Sequence, residues 1–192
     1  MITNCFQSFL VFKKLMGSFL SDLFQKNGGT FMNIFEFAKN REKQAEETYR
    51  KLAEEATNQG FATIFSRLAE AEKHHYEIIQ KMEKAETAAI FRSDILLFTK
   101  NTISKLKLRD QNFTAARSQV DIYRAAQDRE AESERFYREQ AEKAVDAQQG
   151  KLFLAIAKEE HQHYAILENI IDYIIFPETH PENAEFNYQK ES

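Results

Sequence analysis

Tryptophan is absent from these 192 residues, proline occurs twice, glycine five times and cysteine once. A single thiol, Cys5, excludes a disulfide framework within the chain and any cysteine pair of the kind that holds zinc or an iron–sulfur centre. It fits a reducing compartment, and a cytoplasmic location is the expectation. So few glycines and prolines argue against a turn-rich β fold and for long helices. A formal charge of −4 leaves no basic footprint for nucleic acid, and none is expected as a partner. With 43% apolar and 29% charged residues, the composition suits one medium globular domain with a sizeable core.

A long uninterrupted apolar run is also missing. The most apolar stretch is residues 1–31, where Phe6, Phe9, Leu10, Phe12, Leu15, Phe19 and Leu23 crowd together. Lys13 and Lys14 split it well short of the roughly 18 residues a membrane span needs. It has neither the basic start nor the small-residue cleavage site of a secretory signal. One reading is an amphipathic helix on a membrane or a partner. The favoured expectation is that residues 1–31 are an N-terminal extension upstream of a true translation start at Met32, because Asn27, Gly28 and Gly29 break the pattern there. The globular domain is then 32–176, followed by a polar, proline-containing tail over 177–192.

What is present is a stripe with two misfits. Phe65, Leu68, Ile79 and Met82 follow alternating three- and four-residue helical steps, and the two steps between Leu68 and Ile79 fall on Glu72 and His75. The construction returns at Phe153, Ile156, Glu160, His163, Leu167 and Ile170, with Glu160 and His163 each 88 positions after its counterpart. The chain therefore contains an internal duplication.

An earlier helix, from Phe35 to about Asn58, has the seam Phe35, Ala38, Glu42, Ala45, Tyr49, Leu52 and Ala56. Asn58, Gln59 and Gly60 form a short turn that makes it an antiparallel neighbour of the next helix. A third helix, expected from about Thr114 to Ala147, carries Tyr123, Ala126, Glu130, Ser133, Tyr137, Gln140 and Ala144. Glu130 and Tyr137 match Glu42 and Tyr49 at the same offset of 88. The fourth helix is expected from about Lys151 to Ile175. Between the pairs, residues 85–112 read as a short helix or apolar connection, with a charge cluster over 105–110. Its length lets the third helix enter from the opposite end.

Packed through these seams, Glu42, Glu72, Glu130 and Glu160 converge in mid-bundle with His75 and His163. Four ionised carboxylates in a low-dielectric core repel one another, and each unpaired buried ion costs at least several kcal/mol. Two divalent cations balance the four negative charges, carboxylates can bridge a metal pair, and each imidazole can take a terminal position. A lone E-x-x-H is weak, since glutamate-rich helices produce it by accident. Two copies, each with a further acid 30 positions earlier, favour a metal site. For Tyr49 and Tyr137 core packing is the default reading, and the alternative is a phenol that donates to a ligand carboxylate. His74 and His161 read as surface histidines. Glu46, Glu47, Glu134 and Glu159 read as solvated face, with Glu46 and Glu134 placed to guard a path inward.

The segments REKQAEETY (41–49), EKHH (72–75), REAESERFY (129–137) and EHQH (160–163) resemble the rubrerythrin family of the ferritin-like superfamily, over Met32 to about Phe176. The resemblance implies an all-α, ferritin-like four-helix bundle with one long crossover connection, built from two duplicated helix pairs. Its ligand pattern is the one known for di-iron and di-manganese carboxylate bundles. It implies two iron ions, manganese sharing the same ligand preferences, and no haem. Glu42 and Glu130 would be terminal ligands, Glu72 and Glu160 bridges, His75 and His163 nitrogen ligands, and Tyr49 and Tyr137 supports. Two departures stand out. Full-length rubrerythrins carry a four-cysteine rubredoxin-like module, which this chain cannot form, so electrons would come from a separate donor protein. Family members also tend to have an acid one turn after the third-helix glutamate, where Ser133 stands, and the redox-linked ligand exchange tied to that acid lacks its residue here.

The function this implies is a non-haem di-iron oxidoreductase reducing hydrogen peroxide to water, with dioxygen the alternative oxidant and a homodimer the expected assembly. A second reading is an iron-binding ferroxidase that sequesters iron with little turnover. A third is a bundle that keeps its ligands for stability or sensing.

Overall fold

The computed structural model describes residues 33–56, 58–89, 93–106 and 118–176. Among them are five helices and no strand: α1 (Ile34–Glu55), α2 (Gln59–Glu83), α3 (Ile95–Ile103), α4 (Val120–Lys143) and α5 (Ala147–Ile175). The expectations for residues 1–31 and for the tail lie outside the described residues, as do Ile90, Phe91 and most of the 105–110 charge cluster. Among the described residues no helix is long and apolar enough to cross a membrane.

The helix ends follow capping chemistry. Asn58 takes an extended backbone and its side chain accepts from the N–H groups of Gly60 and Phe61, which starts α2 at Gln59. Asp146 does the same for α5, accepting from Gln148 N–H at 2.7 Å. This corrects two expected boundaries: α4 ends at Lys143, not Ala147, and α5 begins at Ala147, four residues before Lys151. Gly150 sits inside the first turn of α5, so it does not mark a break.

Contacts fix the directions of the helices. Lys39 near the start of α1 lies 2.6 Å from Glu83 at the end of α2, so these two run antiparallel. Tyr137 late in α4 stacks on Phe153 early in α5, giving a second antiparallel pair. Phe65 and Tyr123, each early in its helix, meet at 5.2 Å between ring centroids, so α2 and α4 run parallel. A parallel neighbour requires the chain to cross back along the bundle, and the connection containing α3 makes that crossing. The buried residues Ile95, Thr99 and Ile103 line one face of α3. A Cβ on Gly60 would stand 2.9 Å from Leu106 Cδ2 and 3.0 Å from Thr102 Cγ2, so glycine there lets the crossover close down on α2.

The architecture is therefore the all-α, ferritin-like bundle of two helix pairs and one long crossover. Its core falls into two apolar clusters. One gathers Leu52, Phe61, Phe65, Leu68, Ile166 and Ile170, the other Ala38, Ile79, Met82, Phe153 and Ile156. Each fully buried large side chain contributes about 1.5–3 kcal/mol. Along every long helix, the residues between the two clusters are the charged ones.

Candidate metal centre

Each long helix delivers its polar residues to one layer. Glu42 comes from α1, Glu72 and His75 from α2, Glu130 from α4, and Glu160 and His163 from α5; all six are between 0 and 3% exposed. The i, i+3 spacing puts each glutamate and its histidine on the same inward face. The structure thus brings all six sequence-predicted ligand candidates together.

They form two overlapping groups. Glu42, Glu72, His75 and Glu160 place one ligand atom each within 4.8 Å of one another, and so do Glu72, Glu130, Glu160 and His163. Glu72 and Glu160 belong to both. His75 Nδ1 lies 3.3 Å from Glu42, 3.3 Å from Glu72 and 3.0 Å from Glu160. His163 Nδ1 lies 2.9 Å from Glu72, 3.7 Å from Glu130 and 3.8 Å from Glu160. The two imidazoles are roughly parallel, with ring centroids 5.6 Å apart.

The inward atoms lack ordinary partners. Glu42 Oε2, both oxygens of Glu72, Glu160 Oε1 and the Nδ1 atoms of His75 and His163 are buried with no hydrogen-bond partner among the described residues. Such orphaned atoms are costly to bury, and here they all face the same small volume. Burial, then the neighbouring Glu72, Glu130 and Glu42, holds Glu160 well above the ordinary carboxylate range. Burial raises Glu42 to about 7. The imidazoles, which burial alone would push down, are raised by the carboxylates around them. Glu72 goes the other way: burial opposes its ionisation, but the charges of His163 and His75 outweigh that and lower it. Without cations the cluster therefore relieves its repulsion by taking up protons. The donor set of carboxylate oxygens and imidazole nitrogens suits two divalent cations of the iron or manganese type, which would displace those protons.

The surrounding groups tie the layer down. The hydroxyl of Tyr49 donates to Glu130 Oε1, and that of Tyr137 to Glu42 Oε1. Burial and the nearby carboxylates raise both phenols well above their ordinary range, so both stay protonated donors. Ser133 accepts from the Arg41 guanidinium at 2.8 Å, which links α4 back to α1.

One residue departs from its expected place. Glu159 is 7% exposed, not part of a solvated face. Its Oε2 lies 3.4 Å from His75 Nε2, and its Oε1 accepts from Ser93 N–H at 3.1 Å. Helical periodicity could not have found it. It lies one residue off the buried seam, and it packs against the crossover segment, whose course is invisible in a local pattern. Burial opposes its charge, but hydrogen bonding to His75 and Ser93 holds its carboxyl below the ordinary range. Glu46 and Glu134 are partly exposed and pair with Arg50 and Arg138 of their own helices at 2.6 and 2.8 Å. His161 is exposed and lies 3.0 Å from Glu134. His74 is half-buried, 3.6 Å from Glu77, and stays outside the cluster.

No curated protein and no solved structure matches the chain. The family model for rubrerythrin matches residues 33–171, a span that begins just before α1, ends within α5 and contains every residue of the buried cluster. A match over most of the chain, on a bundle whose charged layer fits a di-iron site, shows that this protein belongs to the rubrerythrin family.

Proposed function

We propose that the protein is a non-haem di-iron oxidoreductase that reduces hydrogen peroxide to water. The observation that carries the reading is the pair of buried four-residue groups sharing Glu72 and Glu160. Glu42 with His75 would hold one ion, Glu130 with His163 the other, and Glu72 and Glu160 would bridge them. Reducing one peroxide to two waters consumes two electrons and two protons; two iron ions held by these residues would supply the two electrons, and a separate donor protein would restore them.

The protein's own part is to hold the geometry and exclude water. Tyr49 and Tyr137 each occupy one oxygen of a terminal carboxylate and leave its other oxygen facing the cluster. The apolar clusters on either side keep bulk solvent from the layer. Glu46 and Glu134, the acids expected to guard a path inward, each pair with an arginine of their own helix.

The test is anaerobic ferrous titration of the full chain, followed by addition of peroxide or of dioxygen while absorbance reports oxidation. Two ferrous ions per chain, oxidised faster by peroxide than by dioxygen, are expected. Slow oxidation by peroxide together with iron accumulating far beyond two per chain would favour the ferroxidase reading and overturn this one.

A further inference from the structure

The two halves of the duplication match at every inward residue of the layer and differ just outside it. On the His75 side, Glu159 reaches the ring's outer nitrogen, Nε2. The position 88 residues earlier, which would face His163 in the same way, is Ala71. Ala71 is buried, and His163 Nε2 is buried with no hydrogen-bond partner among the described residues. One imidazole thus meets a carboxylate at its outer nitrogen and the other does not.

From this we infer that Glu159 is a positioning residue that makes the two metal positions unequal, so that the first ion loads at the Glu42–Glu72–His75–Glu160 position; the inference rests on the di-metal reading above. A carboxylate accepting from Nε2–H leaves the lone pair on Nδ1, the atom that faces Glu42, Glu72 and Glu160. It also fixes the rotation of the ring before any ion arrives. His163 lacks that hydrogen bond at its outer nitrogen.

The second oxygen of Glu159 has a separate task. It accepts from Ser93 N–H, and Ser93 Oγ in turn accepts from Ile95 N–H at the first turn of α3. The crossover therefore orients the carboxylate that orients the ligand. Both of Glu159's partners are donors, which a carboxylate satisfies and a carboxamide does not, since an amide has a single acceptor oxygen. Glu159→Gln keeps the shape and leaves one donor facing another.

The experiment is titration of the metal-free full chain with cobalt(II) alone, followed by calorimetry and visible absorption. Wild type is expected to bind two ions in two resolved steps. The tighter step should disappear in His75→Ala and persist in His163→Ala. Glu159→Gln should weaken the tighter step by about 10–100-fold and leave the weaker one in place. Proton NMR at one equivalent of cobalt(II) gives a readout that needs no Glu159 variant: a single paramagnetically shifted imidazole N–H, absent from His75→Ala. Two ions bound with equal affinity, a shifted N–H that survives in His75→Ala, or a folded Glu159→Gln with an unchanged tighter step would each overturn the inference. Failure of wild type to bind two ions at all would instead overturn the di-metal reading beneath it.

Discussion

Tyr49 donates its hydroxyl proton to Glu130, not to Glu42 seven residues before it on its own helix. Tyr137 returns the arrangement by donating to Glu42. Two helical turns span about 10.5 Å, too far for a phenol to reach back along its own axis. Because α1 and α4 run antiparallel, the tyrosine of one lies level with the glutamate of the other. The duplication thus closes on itself through two crossed hydrogen bonds.

Removing either hydroxyl should be felt in both stability and metal binding. Tyr49→Phe leaves a buried oxygen of Glu130 without its donor, at a cost of about 1–3 kcal/mol. Affinity for the ion nearest Glu130 should fall about 10–100-fold. Tyr137→Phe should do the same at Glu42. Denaturant unfolding of the metal-free variants and metal titration check both, and a variant indistinguishable from wild type in the two measurements would show that the crossed bonds are incidental.

Shared and unshared acids should behave differently. Glu72→Ala or Glu160→Ala removes a residue common to both groups, and metal analysis should find neither ion retained. Glu42→Ala or Glu130→Ala touches one group and should leave about one ion per chain. The metal-free protein gives a contrary sign. Burial and three neighbouring glutamates disfavour the charge on Glu160, so Glu160→Gln should melt higher than wild type without metal at about pH 8 while binding metal far worse.

Most of this site was legible because one rule, the helical repeat, governs both which residues pack and which acids are misplaced among them. Glu42, Glu72, His75, Glu130, Glu160 and His163 were found as exceptions to an apolar seam, and exact duplication removed the ambiguity of any single exception. The crossing of the tyrosine bonds was hidden, since it depends on the relative direction of α1 and α4. Glu159 was hidden for a stronger reason: its carboxylate meets Ser93 of the crossover segment, and no spacing within α5 encodes that. The end of α4 was misread because Asp146 is an ordinary polar residue until its carboxylate is seen accepting from Gln148 N–H.

The end of α2 contains an improvable position. Ala85 has φ 54°, the left-handed conformation that a Cβ penalises. The fold imposes it because Ala85 N–H bonds to Met82 C=O and Glu86 N–H to Lys81 C=O, the pair of hydrogen bonds that closes a helix through a left-handed residue. Glycine takes that conformation without the clash, although it also frees the unfolded chain. Ala85→Gly should therefore stabilise the metal-free protein by about 0.5–1 kcal/mol. Equilibrium unfolding checks the sign, and metal stoichiometry should not change, since the site lies elsewhere along the bundle.

The response to pH should reverse when metal binds. Burial lifts Glu42 from 4.5 to about 7, Glu160 is raised for the same reason, and the carboxylates raise both imidazoles above 6.5. In the metal-free fold all four hold protons more tightly than in the unfolded chain. Their contribution to stability is complete below the unfolded values and is lost as pH rises, through the interval from 4.5 to about 7 for Glu42 and above 6.5 for the imidazoles. Glu72 and Glu159 are lowered and act in the opposite sense, but only as pH falls below the ordinary carboxylate value. Metal binding requires the deprotonated ligands, so affinity should climb over the same interval in which the metal-free fold weakens. The gap in melting temperature between manganese(II)-loaded and metal-free protein should widen from about pH 6 to about pH 8. A gap that stays constant or narrows would mean that the buried protons are not the ones the metal displaces.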